Sequence, residues 1–261
     1  MNIEEWLKKF PGRYGIYAKD LTTNAVVAHH ERESFPSAST IKVPIMAEVY
    51  RRFEEEHASL DHMLAMCQED QVGGSGVLQD LAPGTSLTVR NLTTLMITVS
   101  DNTATNLLID YLGLDAINQM IKRLEMQDTE LVRRLQRLPA QRSDAVNRTT
   151  AYDLSLLMDK LARGQCVSEV ASEHMVATLS RCQGMIGIAP SAHPSRFVGQ
   201  KPAVTVAHKT GSLEQACHDA GIVYFLGGRT YVATILSQGA PYDQLARTVK
   251  QIGRNFPRWL R

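Results

Sequence analysis

The sequence predicts an α+β fold: an antiparallel five-stranded sheet assembled from both ends of the chain, flanked by terminal helices, with an all-α lobe inserted between its N- and C-terminal strands. Two observations predict it. Short, β-branched apolar runs bounded by turn residues sit near the start of the chain and again in its C-terminal third. The long stretch between them repeats its apolar residues at helical spacing instead.

Taken in order, Met1 to Phe10 reads as an amphipathic helix with Ile3, Trp6, Leu7 and Phe10 on one face. It is too charged for a secretory leader, so a cytoplasmic protein is expected from the chain as written, and a secreted one if Met1 replaces a removed leader. Tyr14 to Ala18 and Ala25 to Ala28 read as two strands joined by the turn residues Asp20 to Asn24. Ile45, Val49 and Phe53 mark a helix that starts after Phe35-Pro36-Ser37-Ala38-Ser39. Leu92, Leu95, Met96 and Val99 mark the next, Leu107, Leu108 and Tyr111 another. Leu154, Leu157, Met158 and Leu161 mark a further helix stopped by Gly164. Val204 to Ala207, Gly221 to Leu226 and Thr230 to Leu236 complete the strands, and Tyr242 to Ile252 is a closing helix. The chain is then one domain over residues 1–261, with an α/β lobe of about 1–36 and 196–261 and a helical lobe of about 37–195. Active sites favour the crevice between two such lobes.

Composition narrows the function by exclusion. The 261 residues are 44% hydrophobic and 21% charged, with a formal net charge of +1. That balance offers no footprint for nucleic acid or an anionic membrane, and a monomer acting on a small molecule is expected. No apolar run approaches the roughly 18 residues that a bilayer span needs. Cys67, Cys166, Cys182 and Cys217 are widely spaced, without a Cys-x-x-Cys, and read as free buried thiols. The eight histidines form no His-Glu-x-x-His pattern, so neither a metal nor any other cofactor is expected.

Three short motifs carry the chemistry: Ser39-Thr40-Ile41-Lys42, Ser100-Asp101-Asn102 and Lys209-Thr210-Gly211, in that order. A lone Ser-x-x-Lys arises about once by chance in a chain this long, so the ordered trio is the signal. Ser39 and Lys42 fall on one helix face, where a lysine with a lowered pKa can deprotonate the serine. Burial or a nearby cation lowers such a pKa, and Lys209 is a candidate cation. Ser100 can relay a proton to a leaving nitrogen, and the Asn102 amide can hold a substrate amide. Lys209 offers charge to an anionic group, Thr210 a hydrogen bond to a carboxylate, and Gly211 room for close approach. The backbone amides of Ser39 and Ser212 are candidates for an oxyanion hole.

With these motifs the chain resembles the class A β-lactamases and the penicillin-recognising serine hydrolases around them, over nearly its whole length. The likeness extends to Thr88 to Leu92, to Met96 through Ser100 to Leu108, and to Asn147-Arg148-Thr149-Thr150-Ala151-Tyr152-Asp153-Leu154, which resembles the close of that family's omega loop. The resemblance implies the β-lactamase/transpeptidase-like fold and acylation of Ser39 by a β-lactam or acyl-peptide. Lys42 would be base or proton partner, Ser100 the shuttle and Lys209 the electrostatic anchor. Asn102, Thr210 and the Ser212 backbone would hold the substrate.

One departure stands out. The family's hydrolytic members carry an omega-loop glutamate that activates the deacylating water, and Pro139 falls where it would stand, in a shortened loop between Arg137 and Asn147. Proline accepts no proton. Either deacylation is slow, or Asp144 or neutral Lys42 activates the water; loss of a positioned base commonly costs about 10²–10⁴ in rate. Weak β-lactam hydrolysis is therefore expected. The alternatives are an esterase, amidase or D-alanyl peptidase with the same acyl-serine, or a module that binds a β-lactam or muropeptide without turnover. Three further features read as structural: Gly73-Gly74-Ser75-Gly76 as a flexible loop near the site, His208 on the sheet face opposite Lys209, and the basic run Arg133, Arg134, Arg137 as a solvated face or loop anchor.

Overall fold

A computed structural model of the chain describes residues 3–136, 146–185, 187–189 and 203–261. The N-terminal helix α1 (Ile3–Leu7) leads to β1 (Arg13–Asp20) and β2 (Val26–His29). After β3 (Phe35–Pro36) and a 3-10 turn at Ala38–Ile41 come α2 (Lys42–Glu55), the hairpin β4 (Met63–Ala65) and β5 (Ser86–Thr88), α3 (Val89–Thr98), α4 (Asn102–Leu112) and α5 (Leu114–Arg123). The two-residue β6 (Arg148–Thr149) precedes α6 (Ala151–Ala162) and α7 (Glu169–Leu179). Strands β7 (Val204–Leu213), β8 (Ala216–Phe225) and β9 (Thr230–Gln238) and helix α8 (Tyr242–Trp259) close the chain.

The expected α+β class and five-stranded antiparallel sheet are both present. The strand order is β2-β1-β9-β8-β7, and every neighbouring pair is antiparallel. β1 runs against β9 along its full length, from Arg13 opposite Gln238 to Asp20 opposite Tyr231, which joins the two ends of the chain. One face packs on α8 through Leu245, Val249, Ile252 and Phe256. Ala207, Ala220, Ile222, Val232 and Leu236 on the other face join the larger core, which also holds Leu154 and Leu157 of α6 and Ile45 and Met46 of α2. The lobe boundary expected at 195–196 lies outside the described residues.

Several elements differ from the sequence reading, each for a physical reason. β7 continues six residues past Ala207, and β8 starts five residues before Gly221. The polar residues His208, Lys209, His218 and Asp219 interrupt the apolar pattern there, yet all four are buried. α8 continues past Ile252 because Phe256 extends its buried stripe, and Pro257 falls in its last turn. In α2, Ile45 and Val49 are buried as expected, whereas Phe53 faces solvent near the helix end. The amphipathic α5 and the Ser168-capped α7 had no counterpart among the expected elements. The four cysteines are unpaired, but only Cys166 and Cys217 are buried; Cys67 is exposed and Cys182 half-buried. Among the described residues, no helix is long and apolar enough to cross a membrane.

Two contacts position the motifs. β3 pairs with β6, Phe35 opposite Thr149 and Pro36 opposite Arg148, and so ties the approach to Ser39 to the segment before α6. β7 packs along the 3-10 turn that carries Ser39.

Candidate active site

The turn carrying Ser39 is held from three directions. Ser37 N–H donates to Asn147 O at 2.7 Å, and the Thr40 hydroxyl donates to Ser37 O at 2.6 Å. On the sheet side, a Cβ built on Gly211 would lie 3.1 Å from Ala38 Cβ and 3.2 Å from Ser39 N. The close approach that Gly211 permits is therefore to the backbone of the Ser39 turn, where the sequence reading had a ligand. Ala38 adopts a left-handed φ of 46°, an arrangement that persists only where the surroundings impose it. The helical turn begins at Ala38, one residue before Ser39, and no side chain caps it.

Lys42, the first residue of α2, is fully buried. Its Nζ donates to Ser100 O at 2.7 Å, Ser100 Oγ at 3.1 Å and Asn102 Oδ1 at 2.9 Å. The spacing argument expected Lys42 to meet Ser39 directly; the bonds recorded for its Nζ go to Ser100 and Asn102 instead. Burial holds the Lys42 pKa well below the ordinary lysine range, the Lys209 charge lowers it further, and Asp101 opposes both. Ser100 has a left-handed φ of 58° just before α4, so its hydroxyl stands between two lysines: Lys209 Nζ donates to the same Oγ at 3.1 Å. Lys209 is also fully buried, and burial lowers its pKa while Cys182 and Asp219 raise it.

Asn102 is more committed than the sequence suggested. Its Oδ1 serves Lys42, and its Nδ2 donates to Gly73 O at 3.1 Å, from the loop expected to border the site. Thr210 sits at the strand edge with its side chain against Gly184. Ser212 and Leu213 line a cleft of 510 Å³ with Ser37, Ala38, Ser39, Asn102, Gly74 and Ser75. Arg133 to Gln136, Val146 and Asn147 also line it. Arg133 and Arg134 thus face the cleft, and Arg134 forms an ion pair with Asp110. Arg137, Pro139 and Asp144 lie outside the described residues.

His208 turns to the other sheet face, where Nδ1 meets Asp219 Oδ1 at 2.7 Å. Asp219 Oδ2 accepts from Gly187 N and Ile188 N at 2.6 and 3.0 Å. Among the described residues no group of three His, Cys, Asp or Glu side chains is placed to hold a metal.

Three supporting residues escaped the sequence reading. Asp101 caps α4 by accepting from Ala104 N, and its other oxygen accepts from Val77 N and Leu78 N, which fixes the glycine loop. His218 Nδ1 accepts from Ser237 N and Nε2–H donates to Pro36 O, just before the Ser39 turn. Asn106 grips Leu135 by both its N–H and its carbonyl. Asp101 lies inside a motif and follows the N-cap pattern; the other two bond to residues far away in sequence.

Comparison with known proteins adds the kinship. The model of the beta-lactamase enzyme family matches residues 1–259. Beta-lactamase L2 of Stenotrophomonas maltophilia is 28% identical over 259 residues, 95% of this chain and 81% of that protein. The crystal structure of a beta-lactamase from Sphaerobacter thermophilus has a TM-score of 0.85 at 31% identity, covering 93% of this chain and 89% of that one. A mutant of PBP-A in an acyl-enzyme complex with penicillin G has a TM-score of 0.83 at 26% identity, covering 98% and 95%.

Proposed function

The chain belongs to the beta-lactamase enzyme family and is a serine β-lactamase-like hydrolase, and from that premise we propose that Ser39 is acylated by β-lactams and that release of the acyl group is the slow step. The observation that carries this reading is the buried Lys42, bonded to Ser100 and backed by Lys209, one helical turn from Ser39. A lysine whose pKa is depressed gives up its proton more readily than an ordinary one and can act as a base.

In the proposed cycle, neutral Lys42 takes the Ser39 Oγ proton as Oγ attacks the lactam carbonyl carbon. The Ser39 and Ser212 amides receive the developing oxyanion. The ring C–N bond then breaks, Ser100 gives its hydroxyl proton to the ring nitrogen, and Lys42 returns a proton to Ser100. The product is an ester on Ser39 with a protonated ring nitrogen, and Lys42 is neutral again. Lys209 and Thr210 hold the substrate carboxylate, and Asn102 Nδ2 exchanges Gly73 O for the acyl amide. Hydrolysis of the ester needs a water activated by a base, and Pro139 in place of the family's glutamate is the reason for slow release; Asp144 is the next candidate activator.

The test is intact-protein mass followed in time after mixing with a penicillin, with Ser39→Ala as control. The expected result is a penicillin adduct on the native protein that persists for many minutes and is absent from the variant. Rapid penicillin consumption without an accumulating adduct would overturn slow release and direct mutagenesis to Asp144. No adduct, with turnover of an aryl ester, would transfer the acyl-serine chemistry to the esterase reading.

A further inference from the structure

We infer that Arg133 forms a second anion subsite in the cleft and selects substrates whose acyl side chain carries a carboxylate. This rests on the proposal that Ser39 is the acylated residue.

The charges around the cleft motivate the inference. Its described lining contains Arg133 and Arg134 and no acidic residue. Arg134 is engaged by Asp110, but among the described residues no carboxylate is paired with Arg133, which is exposed. A cation on a cleft wall with no carboxylate partner among the described residues can meet a substrate anion.

Its backbone is held by side-chain hydrogen bonds. Asn147 Oδ1 accepts from Val132 N at 2.9 Å and Arg133 N at 3.0 Å, and Asn147 Nδ2 donates to Arg133 O at 3.0 Å. Two residues on, Asn106 holds Leu135 at 2.8 and 2.9 Å. These asparagines hold the wall through its backbone rather than through the Arg133 side chain.

The direction also fits. A Cβ built on Gly74 would lie 2.7 Å from Asn102 Nδ2 and 3.5 Å from Gln136 Nε2, so only a glycine separates the Asn102 amide from this wall. With Asn102 holding the acyl amide, as in the proposed cycle, a side chain beyond that amide would enter the part of the cleft that Arg133 and Gln136 line. An anion there meets a guanidinium suited to bidentate carboxylate binding.

The experiment compares benzylpenicillin with its α-carboxybenzyl analogue, which differs by one side-chain carboxylate. Acylation rate constants are measured for the native protein, Arg133→Ala, Arg133→Glu and, as a control for long-range charge, Lys122→Glu on the exposed side of α5. The readout is the ratio of the two rate constants, in which any general change of activity cancels. The native protein is expected to prefer the dianion about three- to fivefold, the scale of an exposed ion pair, and to lose that preference at high salt. Arg133→Ala should bring the ratio to about one, Arg133→Glu should invert it, and Lys122→Glu should keep it. A native ratio of one, or a preference that survives Arg133→Glu, overturns the inference. If neither penicillin acylates Ser39, the proposed function fails, and calorimetric binding of both compounds to the Ser39→Ala protein tests the arginine on its own. Equal affinities there overturn it, and a dianion preference abolished by adding Arg133→Ala supports it.

Discussion

The two walls of the cleft are built on opposite plans. Behind the side of the cleft that carries Ser39, Lys42 and Lys209 are fully buried and both bond to the Ser100 hydroxyl. On the wall of Arg133 to Gln136, Arg133 and Gln136 are exposed and the backbone is gripped by Asn106 and Asn147. The first plan fixes side chains, because proton transfer depends on which groups surround each lysine. The second fixes main chain and leaves the side chains replaceable. On the proposed function, chemistry would rest on the first wall and selectivity on the second.

The strongest way to break this contrast is Lys42→Met. Lys42 is buried among neutral oxygen acceptors, beside another buried lysine that depresses its pKa further. Acylation should fall by about 10²–10⁴, the usual contribution of a positioned base. Folding stability should change by less than about 2 kcal/mol by urea denaturation, because relief of the buried amine's desolvation is offset by Ser100 O and Asn102 Oδ1 losing their donor. A larger loss of stability would mean that the lysine network holds this wall together.

His218 gives the next largest effect and sharpens the contrast through pH. Burial pushes its pKa from 6.5 down to about 4, with Arg13 adding to the shift. The folded state therefore keeps the ring neutral, while the unfolded chain takes up a proton below pH 6.5. The stability so contributed is complete above pH 6.5, declines as pH falls toward 4, and levels off below that, a loss of about 3 kcal/mol in all. Urea denaturation at pH 7.5 and 4.5 should show this loss in the native protein and much less of it in His218→Gln. Equal slopes in both would exclude the buried ring as the acid-sensitive point behind the Ser39 turn.

How much of this was legible in the sequence follows from the range of each interaction. Ser39, Lys42, Ser100 and Lys209 could be picked out because acyl transfer restricts residue types at fixed local spacings. The sheet was legible in outline because β-branched runs mark strands, but its ends were not. His208 and Lys209 could be placed on a strand because they follow an apolar run, but how far that strand continues and why Asp219 is interior depend on partners distant in sequence. Gly211 was visible as a position needing close approach, although what approaches is the turn bearing Ser39. His218 was invisible: its acceptor Pro36 lies 182 residues away, and no local pattern records such a bond. The cleft-facing side of Arg133 was hidden for the same reason, since a basic run in a loop carries no direction until Asn147 fixes it.

The smallest effect is expected from Gly211→Ala, and it probes whether the chemical wall is as tightly held as the buried lysines imply. The added methyl would stand 3.1 Å from Ala38 Cβ, 3.2 Å from Ser39 N and 3.3 Å from Ser37 O. These contacts are tight without being impossible, so the turn must shift by a few tenths of an ångström. Ala38 is already left-handed and has little freedom to absorb the shift, so the Ser39 amide and hydroxyl must move together. Acylation should then fall about tenfold, since displacements of this scale weaken oxyanion and attack geometry. Stability should change by less than about 1 kcal/mol, because the β7–β8 ladder needs no rearrangement. Gly227→Ala, at a position with nothing near the new methyl, controls for the substitution itself. If Gly211→Ala acylates at the native rate, the Ser39 turn has slack, and rigidity would then belong to the lysines alone rather than to the whole wall.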